Sequence, residues 1–593
     1  MAVAAAAAVA ATSLPAAAAP DDGGVAVRDG LTQPTFSMDD AVQETVYIQT
    51  PVDTDHDGRR DRVHAHIVRP PASSRNVPVI LEESPYFFGV NPIENHNVDV
   101  PVLPQEELKH PGARVAGPGP GAVQRAARPP TLDDVGPRGT AAAEEDKGLP
   151  GWLDDYFVPR GYAVMWGESI GTGHSEGCPT IGDAAETLGT KAVIDWLNGR
   201  AKAWTDDGKP VAADWTNGDT GMVGVSYNGT LPNMVATTGV EGLTIVPISA
   251  ISNWYDYYRA NGLVVAPGGY QGEDADVLAE YTVADPAGCA DEIAALERRQ
   301  DRKTGDYDPF WRARDYVGRA RGVDASVWVI HGLNDWNVKT QHFAQWWERL
   351  GRHGVPRKMW LHQGGHGGTE HGGQFVPTLH RWFDYWLYGL DTGVMDEPMV
   401  DVQRENGSWA TYPDWPDPAT VPTELRLADR SGVQTLVDRG RELKDVDLVA
   451  DPGRPNPNRL AYLTPVLDED VRMSGTPVVR LRASLDNRHA ANLTALLVDY
   501  GPGDAEPEIV TRGWMDPQNR HSASRSKPIK RGKLYRFTWN MQPDDYVFKS
   551  GHRVGVVIVS TDYDYTLRPL PGTRLRVDPG RSGVTLPFVR PSD

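Results

Sequence analysis

Cysteine is scarce in this chain, because Cys178 and Cys289 are the only two among 593 residues. At most one internal disulfide can therefore form, and the sequence leaves open whether the two thiols pair or are buried separately. Long apolar runs are missing as well. Beyond the N-terminus there is no uninterrupted apolar run of about 18 residues or more, so we expect no membrane span.

Positive charge is also in deficit. The chain has 59 Lys and Arg against 80 Asp and Glu, which gives a formal net charge of −21. A surface of this sign repels phosphate groups, so we expect neither nucleic acid nor an anionic membrane as a partner. We interpret the surplus as a solubilising surface, and the sequence leaves the formation of a homo-oligomer open.

The N-terminus is rich in alanine and valine. Residues 1–24 contain an apolar stretch, then small residues up to Ala19 and Pro20, and then two aspartates. This order is typical of a secretory signal with cleavage near Ala19, although the basic start of such a signal is missing. A simple Ala-rich tail is the alternative. We expect an exported, extracellular protein.

A chain of this length is too long to fold around a single hydrophobic core, so several structural units are expected. Strand and helix patterns alternate over residues 40–252 and 325–397, which indicates an α/β unit with a mostly parallel sheet. Residues 253–324 have helical patterns and predict a cap inserted into that unit. Residues 398–593 alternate with period two, which predicts an all-β sandwich, interpreted as a jelly roll. Residues 109–148 are rich in Pro, Gly and Ala and predict a long surface insertion.

An acidic loop lies between two predicted strands near the start of the α/β unit. The residues Asp53–Asp61 contain the Asp-x-Asp-x-Asp-Gly spacing of calcium loops, in which alternating carboxylates converge on one cation. The twelfth position is His64, however, where an EF-hand needs a bidentate glutamate, and no helical patterns flank the loop. A charged hairpin turn is the better interpretation.

The segment Gly-Val-Ser-Tyr-Asn-Gly at residues 224–229 lies at the end of an apolar run and is close to the pattern Gly-x-Ser-x-Gly, with its second glycine one residue later. A strand, a sharp turn and a helix are predicted there, with Ser226 at the apex of the turn. Glycines flank such a serine because the tight turn leaves no room for Cβ atoms. The arrangement exposes the hydroxyl and directs nearby backbone N–H groups towards the atom that the serine attacks. We therefore identify Ser226 as the candidate nucleophile.

A serine nucleophile needs an imidazole to take its proton and a carboxylate to orient that imidazole. Asp335 and His366 each follow a predicted strand, in the order serine, acid, histidine that α/β-hydrolases use. Each has another interpretation: Asp335 could cap the following helix, and His362 or His371 could replace His366. The shared order and strand context favour the triad of Ser226, Asp335 and His366.

Several segments together resemble one peptidase family. They are Ser-Pro-Tyr at 84–86, the stretch from Arg160-Gly161-Tyr162 to the Gly-rich run 171–175, the serine motif at 224–229, Gly-Leu-Asn-Asp at 332–335 and Gly-His at 365–366. The chain resembles the Xaa-Pro dipeptidyl-peptidases, which share their fold with the cocaine-esterase and α-amino-acid ester hydrolase enzymes. The resemblance covers residues 40 to 590. It implies an α/β-hydrolase fold with a helical cap and a C-terminal jelly roll.

The resemblance also implies roles for individual residues. It makes Ser226 the nucleophile, Asp335 the orienting acid and His366 the general base. It implies an oxyanion hole formed by the hydroxyl of Tyr86 and the backbone N–H of Tyr227. The reaction would proceed through an acyl-enzyme, and we expect it to need no metal and no cofactor.

A dipeptidyl-peptidase must also hold a free α-ammonium at a fixed distance from its serine. By the same resemblance Glu273 would pair with the ammonium and Asn337 would assist, although Glu273 and Asp274 could instead only cap a helix that starts near Ala275. A proline ring needs a flat apolar slot. Trp254 and Tyr258, together with their neighbours Tyr255 and Tyr257, are candidates, but core packing explains such aromatic clusters equally well.

The sequence therefore predicts a serine exopeptidase that releases Xaa-Pro dipeptides from peptides with proline at the second position. Two alternatives remain. The same triad could serve an esterase or amidase of the cocaine-esterase or α-amino-acid ester hydrolase type. Alternatively, the chain could be a catalytically silent surface-binding protein.

Overall fold

A computed structural model describes residues 24–109, 126–127, 152–369, 371–440 and 442–590. Almost all of the predicted signal-like segment 1–24 and of the predicted insertion 109–148 lies outside these residues. Within them, no helix has both the length and the apolar character that crossing a bilayer requires.

A mixed sheet of twelve strands runs through the described part of the α/β unit. Seven neighbouring strands in its middle are parallel, as the alternation of strands and helices predicted. In spatial order the strands are Pro210–Val211, Ala203–Trp204, Val42–Gln49, Arg62–Arg69, Ala163–Glu168, Val77–Ser84, Thr216–Val225, Leu243–Ile248, Ser326–Gly332, Arg357–His362, Val400–Gln403 and Trp409–Tyr412.

Helices cover both faces of this sheet. Along one strand Val327 and Val329 point into one apolar core while Trp328 and Ile330 point into the other, because successive side chains of a strand alternate. The first core also receives the helices Ala184–Leu197, Tyr227–Ala236 and Gln341–Arg352, and the second receives Leu153–Phe157 and Phe375–Leu387. The carboxyl ends of the parallel strands therefore meet at one edge between two packed layers.

The central sheet extends beyond its predicted end at residue 397. The strand Val400–Gln403 pairs in parallel with Arg357–His362, and Trp409–Tyr412 closes the edge as an antiparallel strand. These last two strands of the sheet lie inside the predicted C-terminal unit 398–593, whose start stays a prediction. Alternation with period two looks the same in an edge strand of either sheet, so the sequence alone could not show this pairing.

The predicted cap contains four helices, and a short antiparallel pair, Arg259–Ala260 with Leu263–Val264, was not predicted. The helices are Trp254–Tyr258, Ala275–Thr282, Ala290–Arg299 and Pro309–Arg312. A disulfide joins Cys178 to Cys289, which resolves the two alternatives that the sequence left open. Cys178 follows the Gly-rich turn after the strand Ala163–Glu168, and Cys289 precedes the third cap helix, so the bond ties the cap to the sheet edge.

Two antiparallel sheets form the C-terminal unit and share one apolar core, so an all-β sandwich is present as predicted. Its jelly-roll connectivity stays a prediction. The larger sheet contains Thr420–Arg426, Gln434–Val437, Val471–Gly475, Val478–Leu485, Tyr535–Asn540, Asp544–Phe548, Arg574–Val577 and Gly583–Val589, and the smaller contains Leu460–Leu463, Leu493–Tyr500, Glu508–Met515 and Arg553–Val559.

The acidic loop is a turn between the antiparallel strands Val42–Gln49 and Arg62–Arg69. Its carboxylates accept backbone N–H groups of the loop itself. Asp53 accepts from Gly58 at 3.0 Å, and Asp57 accepts from Arg59 at 2.7 Å. These contacts agree with the predicted charged hairpin turn.

Candidate active site

Ser226 occupies the turn between the strand Thr216–Val225 and the helix Tyr227–Ala236, with φ 62° and ψ −121°. The two flanking residues must be glycine, because there is no space for a Cβ atom at either position. A Cβ on Gly224 would lie 2.6 Å from the carbonyl carbon of Asn228, and one on Gly229 would lie 2.6 Å from the carbonyl oxygen of Gly224. The predicted strand, sharp turn and helix are therefore present, and the serine lies at the carboxyl edge of the sheet.

Asp335 and His366 are in hydrogen-bond contact, with 2.9 Å between His366 Nδ1 and Asp335 Oδ2. The carboxylate is buried at 1% exposure. Its other oxygen accepts the backbone N–H groups of Asn337 at 3.0 Å and Val338 at 2.8 Å. Asp335 thus holds its own turn and the imidazole at once. The following helix Gln341–Arg352 has Thr340 at its N-cap, so Asp335 does not cap it.

Charge around this carboxylate favours its ionised form. Burial acts to raise the pKa of Asp335, but the His366 imidazole and the hydrogen bonds from His366 and Ser249 outweigh it and hold the pKa below the ordinary value. His331 lies 3.6 Å from the same carboxylate, and burial lowers its pKa to about 4. Neutral His331 donates instead to the carbonyl of Val338 at 2.8 Å.

The two alternative histidines are engaged elsewhere. His362 Nδ1 accepts the backbone N–H of Gly364 at 3.1 Å, within its own turn. The ring of His371 stacks on Trp409 with 3.8 Å between centroids. The structure therefore brings Asp335 together with His366 and with neither alternative.

Ser249 joins the histidine turn to Asp335, and the sequence analysis missed it. Its hydroxyl accepts the backbone N–H of Gly367 at 3.2 Å and donates to Asp335. A Cβ on Gly367 would lie 3.6 Å from Cγ1 of Val225, so the residue after His366 touches the residue before Ser226. Ser249 directly follows the strand Leu243–Ile248. Asp335 and His366 were identified because each follows a predicted strand, and the same criterion could have identified Ser249.

The two predicted oxyanion donors are adjacent. The rings of Tyr86 and Tyr227 meet edge to face with 6.0 Å between centroids. The Tyr227 hydroxyl donates to both oxygens of buried Glu186, at 2.8 and 2.9 Å, and burial raises the pKa of Glu186 to about 7. Because the side chain is used for anchoring, the donor that Tyr227 can offer is its backbone N–H. It is the first residue of its helix, where N–H groups lack helical partners.

Each of the two predicted amine-binding residues accepts a hydrogen bond from one of two consecutive tyrosines. Buried Glu273 accepts from the Tyr258 hydroxyl at 2.9 Å, and Asn337 accepts from the Tyr257 hydroxyl at 2.8 Å. The neighbouring Asp274 is the residue that caps the helix Ala275–Thr282, through its contact with the N–H of Ala275 at 3.0 Å. Helix capping therefore does not account for Glu273.

Trp254 and Tyr258 expose no surface, so in this structure neither can line a slot that is open to a substrate. Trp254 packs 5.0 Å from Tyr227, and its indole N–H donates to the Tyr316 hydroxyl at 2.8 Å. The geometry gives the aromatic cluster a packing role, and the Tyr258 hydroxyl contacts the proposed site through Glu273.

The segment that ends at Glu273 is attached to the C-terminal unit. The N–H of Ala266 donates to the carbonyl of Tyr565 at 2.7 Å. The side chain of Gln271 donates to the carbonyl of Tyr563 at 3.2 Å and accepts from Arg568 at 2.6 Å. The all-β unit thus fixes the segment that carries the predicted amine-binding acid.

Lys339 is a buried cation beside the site that the sequence analysis also missed. Its ammonium donates to the carbonyl of Tyr257 at 3.1 Å. Burial lowers its pKa to about 7, while the negative charges of Asp335, Asp256 and Glu273 act in the opposite direction. The lysine therefore stabilises the carboxylates on both sides of the site when it is protonated.

Comparison with known families identifies two matches. Residues 57–368 match the model of the X-Pro dipeptidyl-peptidase S15 family, and residues 392–589 match that of the X-Pro dipeptidyl-peptidase C-terminal non-catalytic domain. The chain is 34% identical to an Xaa-Pro dipeptidyl-peptidase of Lacticaseibacillus rhamnosus, over 94% of this chain and 78% of that one. A Bacillus anthracis protein with a provisional name of the same kind is 52% identical over 95% of this chain and 91% of its own length.

Solved structures share the fold at low identity. An α-amino acid ester hydrolase aligns with a TM-score of 0.60 and 19% identity, covering 97% of this chain and 100% of its own. A CocE/NonD family hydrolase of Staphylococcus aureus aligns with a TM-score of 0.63 and 16% identity, covering 92% and 94%. These alignments support the α/β-hydrolase fold with its C-terminal β unit.

Replacing Ser249 with alanine should lower kcat/KM about 10-fold, because Asp335 and the His366 turn each lose a hydrogen bond that involves a charged or catalytic partner. Steady-state kinetics on a chromogenic peptide or ester would measure the loss. Ser326→Ala is a matched control, since Ser326 is also buried and hydrogen-bonded, to Thr244 at 2.6 Å. Equal kcat/KM for the two variants would contradict a role of Ser249 in the site.

Proposed function

Because the chain belongs to the S15 family of X-Pro dipeptidyl-peptidases, we propose that it is a serine exopeptidase that releases Xaa-Pro dipeptides from the N-termini of peptides. The observation that carries the proposal is the contact between Asp335 and His366, whose next residue, Gly367, lies beside Val225 at the turn that holds Ser226. A silent binding protein would have no need for a buried carboxylate that orients an imidazole beside a serine turn.

The proposed reaction begins with proton transfer. His366 takes the proton of the Ser226 hydroxyl as the oxygen attacks the carbonyl carbon of the proline residue, and ionised Asp335 stabilises the imidazolium that forms. The Tyr86 hydroxyl and the Tyr227 N–H stabilise the negative oxygen of the tetrahedral intermediate. The imidazolium then donates its proton to the departing amine. Water hydrolyses the acyl-enzyme by the same steps in reverse.

We further propose that Glu273, assisted by Asn337, binds the free α-ammonium of the substrate. A buried carboxylate is a strong anchor for a cation because the local dielectric constant is low. The Tyr258 and Tyr257 hydroxyls orient the two side chains, and the attachment of residues 266–273 to the β unit keeps the acid at a set distance from the serine. A fixed distance is what limits the product to a dipeptide.

Export of the protein is a separate proposal. The disulfide between Cys178 and Cys289 supports it, because disulfides persist in oxidising compartments, and the Ala-rich start of the chain is typical of a secretory signal.

In its native host the protein should be recovered from the culture medium with a first residue close to Asp21 and with no free thiol. N-terminal sequencing and thiol alkylation before and after reduction would measure both. Recovery only from the cell interior, with alkylatable thiols, would contradict export.

A fluorophosphonate probe should label the wild-type protein and fail to label Ser226→Ala, since the probe reacts with an activated serine hydroxyl. Gel fluorescence after a short incubation gives the readout. Ser326→Ala, which changes a buried serine away from the site, should keep full labelling. Labelling of Ser226→Ala at the wild-type rate would contradict the assignment of the nucleophile.

An Xaa-Pro anilide should be cleaved at least 100-fold faster than its N-acetylated form, because acetylation removes the charge that Glu273 binds. Glu273→Gln should raise KM for the free-amine anilide about 10-fold or more, since an ion pair becomes a neutral contact. Glu292→Gln, on another cap helix, is the matched control. Equal rates for the blocked and free substrates would favour the esterase or amidase alternative.

A further inference from the structure

Three side chains of the kind that bind transition metals meet beside the Gly-rich turn, outside the proposed catalytic site. They are His64 on the strand Arg62–Arg69, Glu168 at the end of the strand Ala163–Glu168, and His174 in the turn. One donor atom of each lies within 4.8 Å of the others. His64 and Glu168 are buried, whereas the side chain of His174 is 51% exposed.

The carboxylate of Glu168 is not paired with a lysine or arginine among the described residues. Both imidazoles direct Nδ1 to the same oxygen, His64 at 2.5 Å and His174 at 3.2 Å. Arg62, on the strand that carries His64, pairs instead with Glu176. Burying a carboxylate is costly unless a cation compensates it, and a bound metal ion would supply that positive charge.

The backbone holds Glu168 in place independently of the two imidazoles. Its second oxygen accepts the backbone N–H of His174. The Ser175 hydroxyl donates to the Glu168 carbonyl and accepts the N–H of His64, both at 2.9 Å. Gly173 has a positive φ of 56°, and a Cβ there would clash with the same carboxylate. The turn is therefore shaped around an oriented carboxylate, which is how metal-binding carboxylates are supported.

We propose that His64, Glu168 and His174 bind one divalent transition-metal ion of the zinc class, through Nδ1, Oε1 and Nδ1. Two imidazoles and one carboxylate form a donor set that zinc sites with three protein ligands use. The exposed side of His174 leaves room for water as the fourth ligand. Calcium and magnesium prefer oxygen ligands alone, so the nitrogen donors select against them.

The ion would brace the segment that carries a predicted oxyanion donor. Ser84 pairs with Glu168 across neighbouring strands, and the Phe88 ring lies 4.6 Å from the ring of His174. Tyr86 lies between these two anchored residues. The proposed metal therefore has a structural role and takes no part in bond cleavage.

Calorimetric titration of the chelator-treated full chain with zinc chloride tests the proposal. The wild-type protein should bind one zinc ion with a Kd near or below the micromolar range, and zinc should raise its Tm. Cobalt(II) should give visible absorption bands of nitrogen and oxygen coordination at the same stoichiometry. His174→Ala, at the exposed position, and His64→Gln should each weaken zinc binding about 100-fold or more and lose the cobalt bands.

His521→Ala is the control for adventitious binding, because His521 is exposed and outside the cluster. It should bind zinc as the wild type does. The proposal is overturned if the wild-type protein binds no zinc, or if both cluster variants retain wild-type affinity. In either case the three side chains form only a hydrogen-bonded cluster that orders the turn.

Discussion

A single buried carboxylate organises the active-site edge of this protein. Asp335 receives hydrogen bonds from the imidazole of His366, the hydroxyl of Ser249 and two backbone N–H groups of its own turn. Because Nδ1 of the imidazole faces Asp335, the proton of neutral His366 belongs on that atom, and Nε2 is left as the base. Three separate strand ends must stay in register for this set of contacts to form, so the catalytic geometry depends on the parallel sheet.

The sequence could predict the triad because its three members obey one topological rule. Parallel strands bring their carboxyl ends to a common edge, so an apolar run followed by a serine, an acid or a histidine indicates a shared site. Ser249 obeys the same rule, but a serine after a strand has no motif around it that marks it as functional. The sequence also could not predict that Trp254 is buried, because an aromatic residue gives the same sequence pattern whether it lies in a core or lines a pocket. The pairing of the strand Val400–Gln403 with the central sheet could not be predicted, because it is set by tertiary structure alone.

Two acids, half-buried Glu82 and buried Glu186, lie beneath the turn that holds the nucleophile. Glu82 accepts from the side chain of Asn228 at 3.1 Å, and Glu186 accepts from Tyr227, so the two residues after Ser226 are each held by a carboxyl group. Burial raises the pKa of both acids to about 7. Their neutral forms are therefore accessible under ordinary conditions, and a neutral carboxyl can sit beneath the turn without opposing the negative charge that develops above it.

The attachment of residues 266–273 to the C-terminal β unit has a consequence for the descent of this protein. The matched family model describes that unit as non-catalytic, yet here its backbone and Arg568 hold the segment that ends at Glu273. A recombined chain with a foreign β unit would keep the turn of Ser226 and lose these contacts. The position of Glu273, which we propose to bind the substrate amine, would then no longer be fixed by them.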